Sequence, residues 1–183
     1  MVVNDRYEAL IQENNLLEWN DTHAALSTAG FLNYKPAINI SAHPFEAMRL
    51  MNEMGISVLP VIDREHKYVG AMTKDTLFKY FVENSGVDNT GGVITLEIAP
   101  RNYSLYEIAR ICENEDVTIL SVQVHTNEIG ILEVTLKLNR TALEAVTSSF
   151  ERHNYHVKEV YGDDTSYEDI EGNYNLLMNY INM

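Results

Sequence analysis

Apolar positions change their period several times along the chain, and each change marks an element. Residues 37–40 form a short apolar run. Ser41-Ala42-His43-Pro44 then supplies capping residues and a proline, the chemistry of a helix start. From Phe45 onward, Ala47, Met48, Met51 and Met54 recur at helical spacing, and Gly55 supplies a stop. Residues 58–62 (Val-Leu-Pro-Val-Ile) read as a buried strand. Pro60 cannot donate a hydrogen bond, which predicts an edge position or a bulge. A polar turn over 63–67 leads into a return strand over 68–72. Thr73 then caps a second helix carrying Leu77, Phe78 and Phe81. The predicted order is β-α-β-β-α.

The stretch 84–92 is polar and contains three glycines, a density of turn chemistry that marks a boundary. Beyond it a second series begins. Residues 93–98 alternate apolar and polar as a half-buried strand does. Leu105, Ile108, Ala109 and Cys112 make one helical face, 117–125 and 132–138 two strands, Leu143, Val146 and Phe150 another helical stripe, and 157–161 a last strand. This β-α-β-β-α-β order is the split, ferredoxin-like arrangement. It puts both helices on one face of an antiparallel sheet, so the other face is expected to be covered by a partner sheet or helix.

The two ends are less regular. Residues 2–19, with Val2-Val3, the turn Asn4-Asp5-Arg6, the run 7–11 and Leu16-Leu17, repeat the second half of the first series weakly. A half unit cannot bury its own apolar face, so it is expected to pack on the complete copy. The segment 162–183 opens on acids and closes on Tyr174, Leu177, Met178 and Ile181, which predicts a short amphipathic helix. The division expected is therefore 1–29, 30–83, a linker at 84–92, 93–161, and the tail 162–183. The fold class is α+β.

Charge narrows the partners. The chain has 183 residues, with 13 Lys plus Arg against 27 Asp plus Glu, a net charge of -14. Such a surface repels phosphate backbones and anionic lipid, and no basic patch offsets it, so neither nucleic acid nor membrane is an expected partner. One cysteine, Cys112, allows no internal disulfide. No apolar run reaches the length of a membrane span, and the first residues lack the apolar stretch of a signal peptide. A cytoplasmic location is expected.

Two family resemblances follow from particular residues. Ala47-Met48-Arg49-Leu50-Met51, Val58-Leu59-Pro60-Val61-Ile62-Asp63 and Val69-Gly70-Ala71-Met72-Thr73 resemble a CBS domain. Such domains come in pairs, and residues 2–19 look like the C-terminal half of a first motif. Ser104-Leu105-Tyr106-Glu107-Ile108-Ala109, 117–122 and 132–136 resemble an ACT domain. The combination is similar to bacterial CBS–ACT proteins related to acetoin-utilisation regulators.

The CBS resemblance implies adenine-nucleotide binding in the cleft between paired motifs, through Gly-x-x-Thr/Ser-x-x-Asp. Gly70 and Thr73 match it, whereas the Asp position holds Thr76, with Asp75 one residue early. One step along a helix turns a side chain by about 100°, so Asp75 does not simply replace the missing acid. In the half copy, Ala9, Gln12 and Asn15 stand at the three positions. The candidate nucleotide residues are Gly70, Thr73, Asp75, Thr76, Gln12 and Asn15. The plain alternative makes Thr73 a helix N-cap and Asp75 a first-turn acid. The ACT resemblance implies amino-acid binding at the first strand–helix loop, here Asn102, Tyr103 and Ser104, with Tyr103 where a glycine is usual.

Other chemistry is sparse. His153-x-x-His156 has ligand-like spacing but no obvious carboxylate partner, and Cys112 lies on an apolar helical face. No nucleophile elbow and no phosphate-cradling Gly-x-x-x-x-Gly-Lys loop occurs. The expectation is a non-enzymatic regulatory homodimer without a resident cofactor or metal, sensing an adenosine-type nucleotide. The alternatives are a ligand-free dimerisation scaffold and an amino-acid sensor.

Overall fold

Three buried residues in succession, Leu59, Pro60 and Val61, form the middle of a strand around which the first sheet is built. In the computed structural model, which describes residues 1–19, 23–162 and 178, the chain is a mixed α and β protein that divides into two units, 1–81 and 82–183. The predicted tail helix lies outside the described residues apart from Met178.

In the first unit, β4 (Val58–Ile62) lies between β3 (Ile38–Asn39), parallel to it, and β5 (Tyr68–Thr73), antiparallel. The parallel pair is connected through α2 (Pro44–Met54), and β5 runs directly into α3 (Lys74–Asn84). Ala47 and Met51 of α2 and Leu77 of α3 close over Ile38, Ile56, Leu59 and Val61 to make the core. Of the edge or bulge predicted for Pro60, the edge is not what forms, since β4 is the central strand, and a register shift lies beside it, between Val61 and Ile62. β3 contributes only two residues, paired with Val61 and Ile62. Pro60 therefore lies outside that parallel ladder, and its missing N–H leaves no ladder bond unmade there.

The start of α2 falls within the predicted capping stretch, at Pro44. The cap is His43, whose Nδ1 accepts the Phe45 N–H at 3.2 Å. Ser41 is held in the preceding turn, its hydroxyl donating to Asn39 Oδ1 at 2.8 Å. Gly55 ends the helix as expected, in the left-handed conformation at φ 64°. Of the methionine stripe, Met51 is buried and Met48 packs against the core, but Met54 faces solvent. Phe78 is 70% exposed and Phe81 is also exposed, so α3 buries Leu77 alone of its three predicted apolar positions.

The first residues form a hairpin of β1 (Val2–Val3) and β2 (Arg6–Tyr7). Its two turn residues, Asn4 and Asp5, both have positive φ, as a tight hairpin turn requires. The hairpin and the residues after it bond to the segment 34–68. Tyr68 N–H donates to Asp5 O at 2.8 Å, Tyr7 N–H to His66 O at 3.4 Å and Leu10 N–H to Tyr34 O at 3.1 Å. Leu10 packs against the first core and Ala9 is fully buried. The short α1 (Glu13–Leu17) adds little, with Leu17 75% exposed.

The second unit has the β-α-β-β-α-β order. β6 (Val93–Ile98), α4 (Leu105–Asn114), β7 (Ile119–Thr126), β8 (Leu132–Leu138), α5 (Glu144–Arg152) and β9 (His156–Tyr161) follow one another. The sheet order is β7-β8-β6-β9, with every pair antiparallel. Ile94, Leu96 and Ile98 on β6 and Val134, Leu136 and Leu138 on β8 face Ile108, Ile111 and Cys112 of α4 and Val146 and Phe150 of α5. Both helices thus cover one face. Leu105, expected on the buried stripe, is exposed.

Gly91 and Gly92 belong to this packing rather than to a free linker. At Gly91, φ is +145° and a Cβ would stand 1.9 Å from Leu138 O. Gly92 N–H donates to Arg140 O at 2.7 Å and Leu138 N–H to Gly92 O at 2.9 Å.

The opposite face of the sheet is polar. Thr95, Glu97, Glu133, Thr135 and Lys137 alternate with the core residues of their strands, and Thr95 among them is buried. Glu97 and Glu133 lie directly opposite each other, an arrangement that is unfavourable unless a cation intervenes. Lys158 of β9 does so, with Nζ 2.6 Å from Glu133 Oε1 and 3.3 Å from Glu97 Oε1.

Hydrogen bonding to Lys158 holds the Glu133 carboxyl below its ordinary range, and the same bond raises the Lys158 ammonium. A lowered carboxyl stabilises the fold above its ordinary value and loses that contribution as pH falls through the lowered one. A raised ammonium contributes below its ordinary value and loses that contribution at more alkaline pH, so the pair is at full strength around neutrality. Lys158→Met is expected to lower the melting temperature of the second unit at pH 7, with the gap to the parent protein closing toward pH 3. Melting curves at both pH values read this, and a gap independent of pH would remove the ion pair as its cause.

Candidate functional site

Gly70 and Thr73 lie on β5, which pairs with β4 through Gly70↔Val61 and Thr73↔Val58. Space is open where a Cβ on Gly70 would stand. Thr73 precedes the first turn of α3 and caps it, its Oγ1 accepting the Thr76 N–H at 3.1 Å. The Thr73 and Thr76 hydroxyls are 2.9 Å apart. Lys74 N–H donates to Ser57 O at 3.1 Å. Two first-turn donors and both hydroxyls are thus engaged within the protein. Asp75 is an exposed acid of that first turn.

Gln12 and Asn15 hold the corresponding places at α1. Gln12 is the N-cap, its N–H donates to Asn15 Oδ1 at 3.2 Å, and Asn15 N–H donates to Gln12 O at 3.0 Å. The two helix starts therefore share a cap-to-third-residue bonding pattern, although one uses hydroxyls and the other amide groups.

A cavity of about 380 Å³ lies between the segment 10–13 and the segment 55–58. Leu10, Ile11, Ile56 and Val58 supply its apolar wall, and Gln12, Glu13 and Ser57 its polar groups. Its volume falls in the range of small-molecule sites, and so does the combination of an apolar wall with a few polar groups. Of the six predicted nucleotide residues, Gln12 is the one in the lining. Gly70, Thr73, Asp75, Thr76 and Asn15 are not in the lining; the nearest bond to it from the start of α3 is that of Lys74 N–H to Ser57 O. Sequence reasoning passed over 55–58. Those residues were taken only as a helix stop and a strand approach, and nothing in their periodicity distinguishes a wall from a connection.

The loop at 102–104 is differently engaged. A 3₁₀ turn, Pro100–Asn102, precedes it. Tyr103 packs on the second core. Ser104 caps α4, its Oγ accepting the Glu107 N–H at 3.3 Å. His153 bonds Ser149 O through Nδ1 at 2.8 Å, while His156 faces Glu97, so the two histidines turn to different partners. Among the described residues, no group of three or more His, Cys, Asp or Glu is arranged to hold a metal ion. Cys112 is fully buried, and burial pushes its thiol up to about 11. At neutral pH it is an inert core residue, since the thiolate is the reactive form.

Compared with known protein families, residues 33–83 match the CBS domain. The match runs from the approach to β3 to the last turn of α3 and so includes one wall of the cavity, 55–58. The other wall, 10–13, precedes it. Among the described residues no helix is long and apolar enough to cross a membrane.

If Thr73 caps α3 as the bond to Thr76 indicates, Thr73→Ala removes the acceptor and is expected to destabilise the first unit by about 0.5–2 kcal/mol, with Thr73→Ser retaining most of it. Urea unfolding followed by a first-unit probe reads the difference. Equal stability of the alanine and serine variants would show that the hydroxyl does not act as a cap.

Proposed function

We propose that this chain is a non-enzymatic regulatory protein whose first unit senses an adenosine-type ligand in the cavity between 10–13 and 55–58. The observation that carries this reading is the position of the cavity. It opens between the matched CBS segment and the half copy that precedes it, which is where paired motifs of that family form their cleft, and Gln12 of the half-copy signature lines it. Gly70, Thr73, Thr76, Asp75 and Asn15 then act around the cleft rather than within its lining. The proposed division is 1–29, 30–83, 84–92, 93–161 and 162–183, with 93–161 an ACT-like domain. Ligand binding would favour one arrangement of the cleft over another through its differential affinity for the two.

A second reading is favoured by a specific observation. The polar groups of Thr73 and Thr76 are already paired with each other, as they would be in a ligand-free scaffold whose signature no longer serves binding. The amino-acid reading gains less, because Ser104 is used as a cap and Tyr103 as packing.

Thermal melting separates the first two. A ligand at 100 times its dissociation constant adds about 2.7 kcal/mol. The first core has seven buried residues against thirteen in the second, so a gain of that size moves the first unit's transition by several degrees. An adenosine compound is expected to produce this shift, and Gln12→Trp, at an exposed position, to abolish it. A flat response to every adenosine compound favours the scaffold.

The assembly we propose is a homodimer formed through the second unit. Its strand β7 carries exposed Leu120 and Val124, the latter 47% exposed, and is an eight-residue strand with one side unpaired among the described residues. Long apolar edges of this kind favour strand addition. Sedimentation equilibrium is expected to give twice the chain mass, reduced toward one chain mass by Val124→Lys. A monomer throughout the micromolar range would exclude the dimer.

A further inference from the structure

From the charge of the cavity wall, we infer that this site takes an adenosine-type ligand without phosphate, neutral or cationic, and discriminates against nucleotides. The inference rests on the reading that the cavity is an adenosine site. Among the described residues its lining contains one carboxylate, Glu13, one amide, Gln12, and one hydroxyl, Ser57, and contains no Lys or Arg. A phosphate taken from water into such a wall leaves its hydration shell without a cation in return and meets Glu13 as a like charge.

Two backbone donors close to the wall are already committed. The α3 donors nearest in bonding to the wall are occupied, Lys74 N–H by Ser57 O and Thr76 N–H by Thr73 Oγ1. Lys74 is joined to the wall by its backbone, and it is not among the lining residues. The net charge of -14 opposes an anion at longer range as well. A nucleoside meets none of these costs. Its base can lie against Ile11, Ile56 and Val58, its hydroxyls can bond Gln12 and Ser57, and a positive charge near the sugar, such as a sulfonium or an amine, is attracted by Glu13.

Calorimetric titration of the full chain with adenosine, S-adenosylmethionine, AMP and ATP tests this. The expected order is S-adenosylmethionine and adenosine tighter than AMP, and AMP tighter than ATP, with at least a tenfold gap between adenosine and AMP. Glu13→Lys, at an exposed position, is expected to improve AMP binding by about tenfold, the scale of one reversed charge at a partly solvated site, and to weaken S-adenosylmethionine. AMP or ATP binding more tightly than adenosine overturns the charge inference and leaves the adenosine site standing. No binding of any of the four overturns both. Binding that Gln12→Trp leaves unchanged places the ligand elsewhere and likewise overturns both.

Discussion

The backbone bond from Tyr68 N–H to Asp5 O, with those from Tyr7 to His66 and Leu10 to Tyr34, ties a segment with almost no core of its own to a unit that has one. The candidate site depends on this attachment. Residues 10–13 form one wall of the cavity, and they are held there by the buried Ala9 and by Leu10, which packs on the core next door. The charge carried by that wall follows from the sequence of the attached segment, since Gln12 and Glu13 both come from it. The CBS-matching segment supplies a largely apolar surface, and residues 10–13 supply most of the polar chemistry.

The two units solve the burial of a sheet differently. In the first, β4 is central and apolar on successive residues, as a strand covered on both sides must be. In the second, strict alternation on β6 and β8 sends the apolar set to α4 and α5 and leaves a polar face outside. That polar face brings two glutamates into register, and the structure meets the resulting repulsion with a lysine from a third strand. Such a row cannot slip by one residue without burying its charges, so the ion pair and the core specify the same register.

Much of the fold was legible because it rests on local rules. Gly55 as a helix stop, Thr73 as a cap and the alternation of residues 93–98 each act over a few residues, and each is found where the sequence places it. What those rules leave open concerns longer range. For Pro60 the ladder rule allows an edge or a bulge; a register shift does lie beside it, between Val61 and Ile62, but the shortness of β3, which makes a central strand tolerable, is not written in β4 itself. Within the capping stretch 41–44, the hydroxyl of Ser41 goes to Asn39 and the ring of His43 makes the cap, a choice that residue type alone does not fix. For the candidate site, the signature positions could be named, but which of them line a cavity depends on how 10–13 meets 55–58, a contact between segments more than forty residues apart.

Cys112 has a consequence for handling the protein. Its side chain lies fully buried in the second core, and its thiol stays protonated well above neutrality. Oxidants and alkylating reagents can reach it only when the second unit opens, so its rate of modification is a clock for that opening that needs no engineered label. As the chain's single cysteine, it also ensures that any disulfide-linked pair of chains found in a preparation records an earlier unfolding event rather than a native assembly.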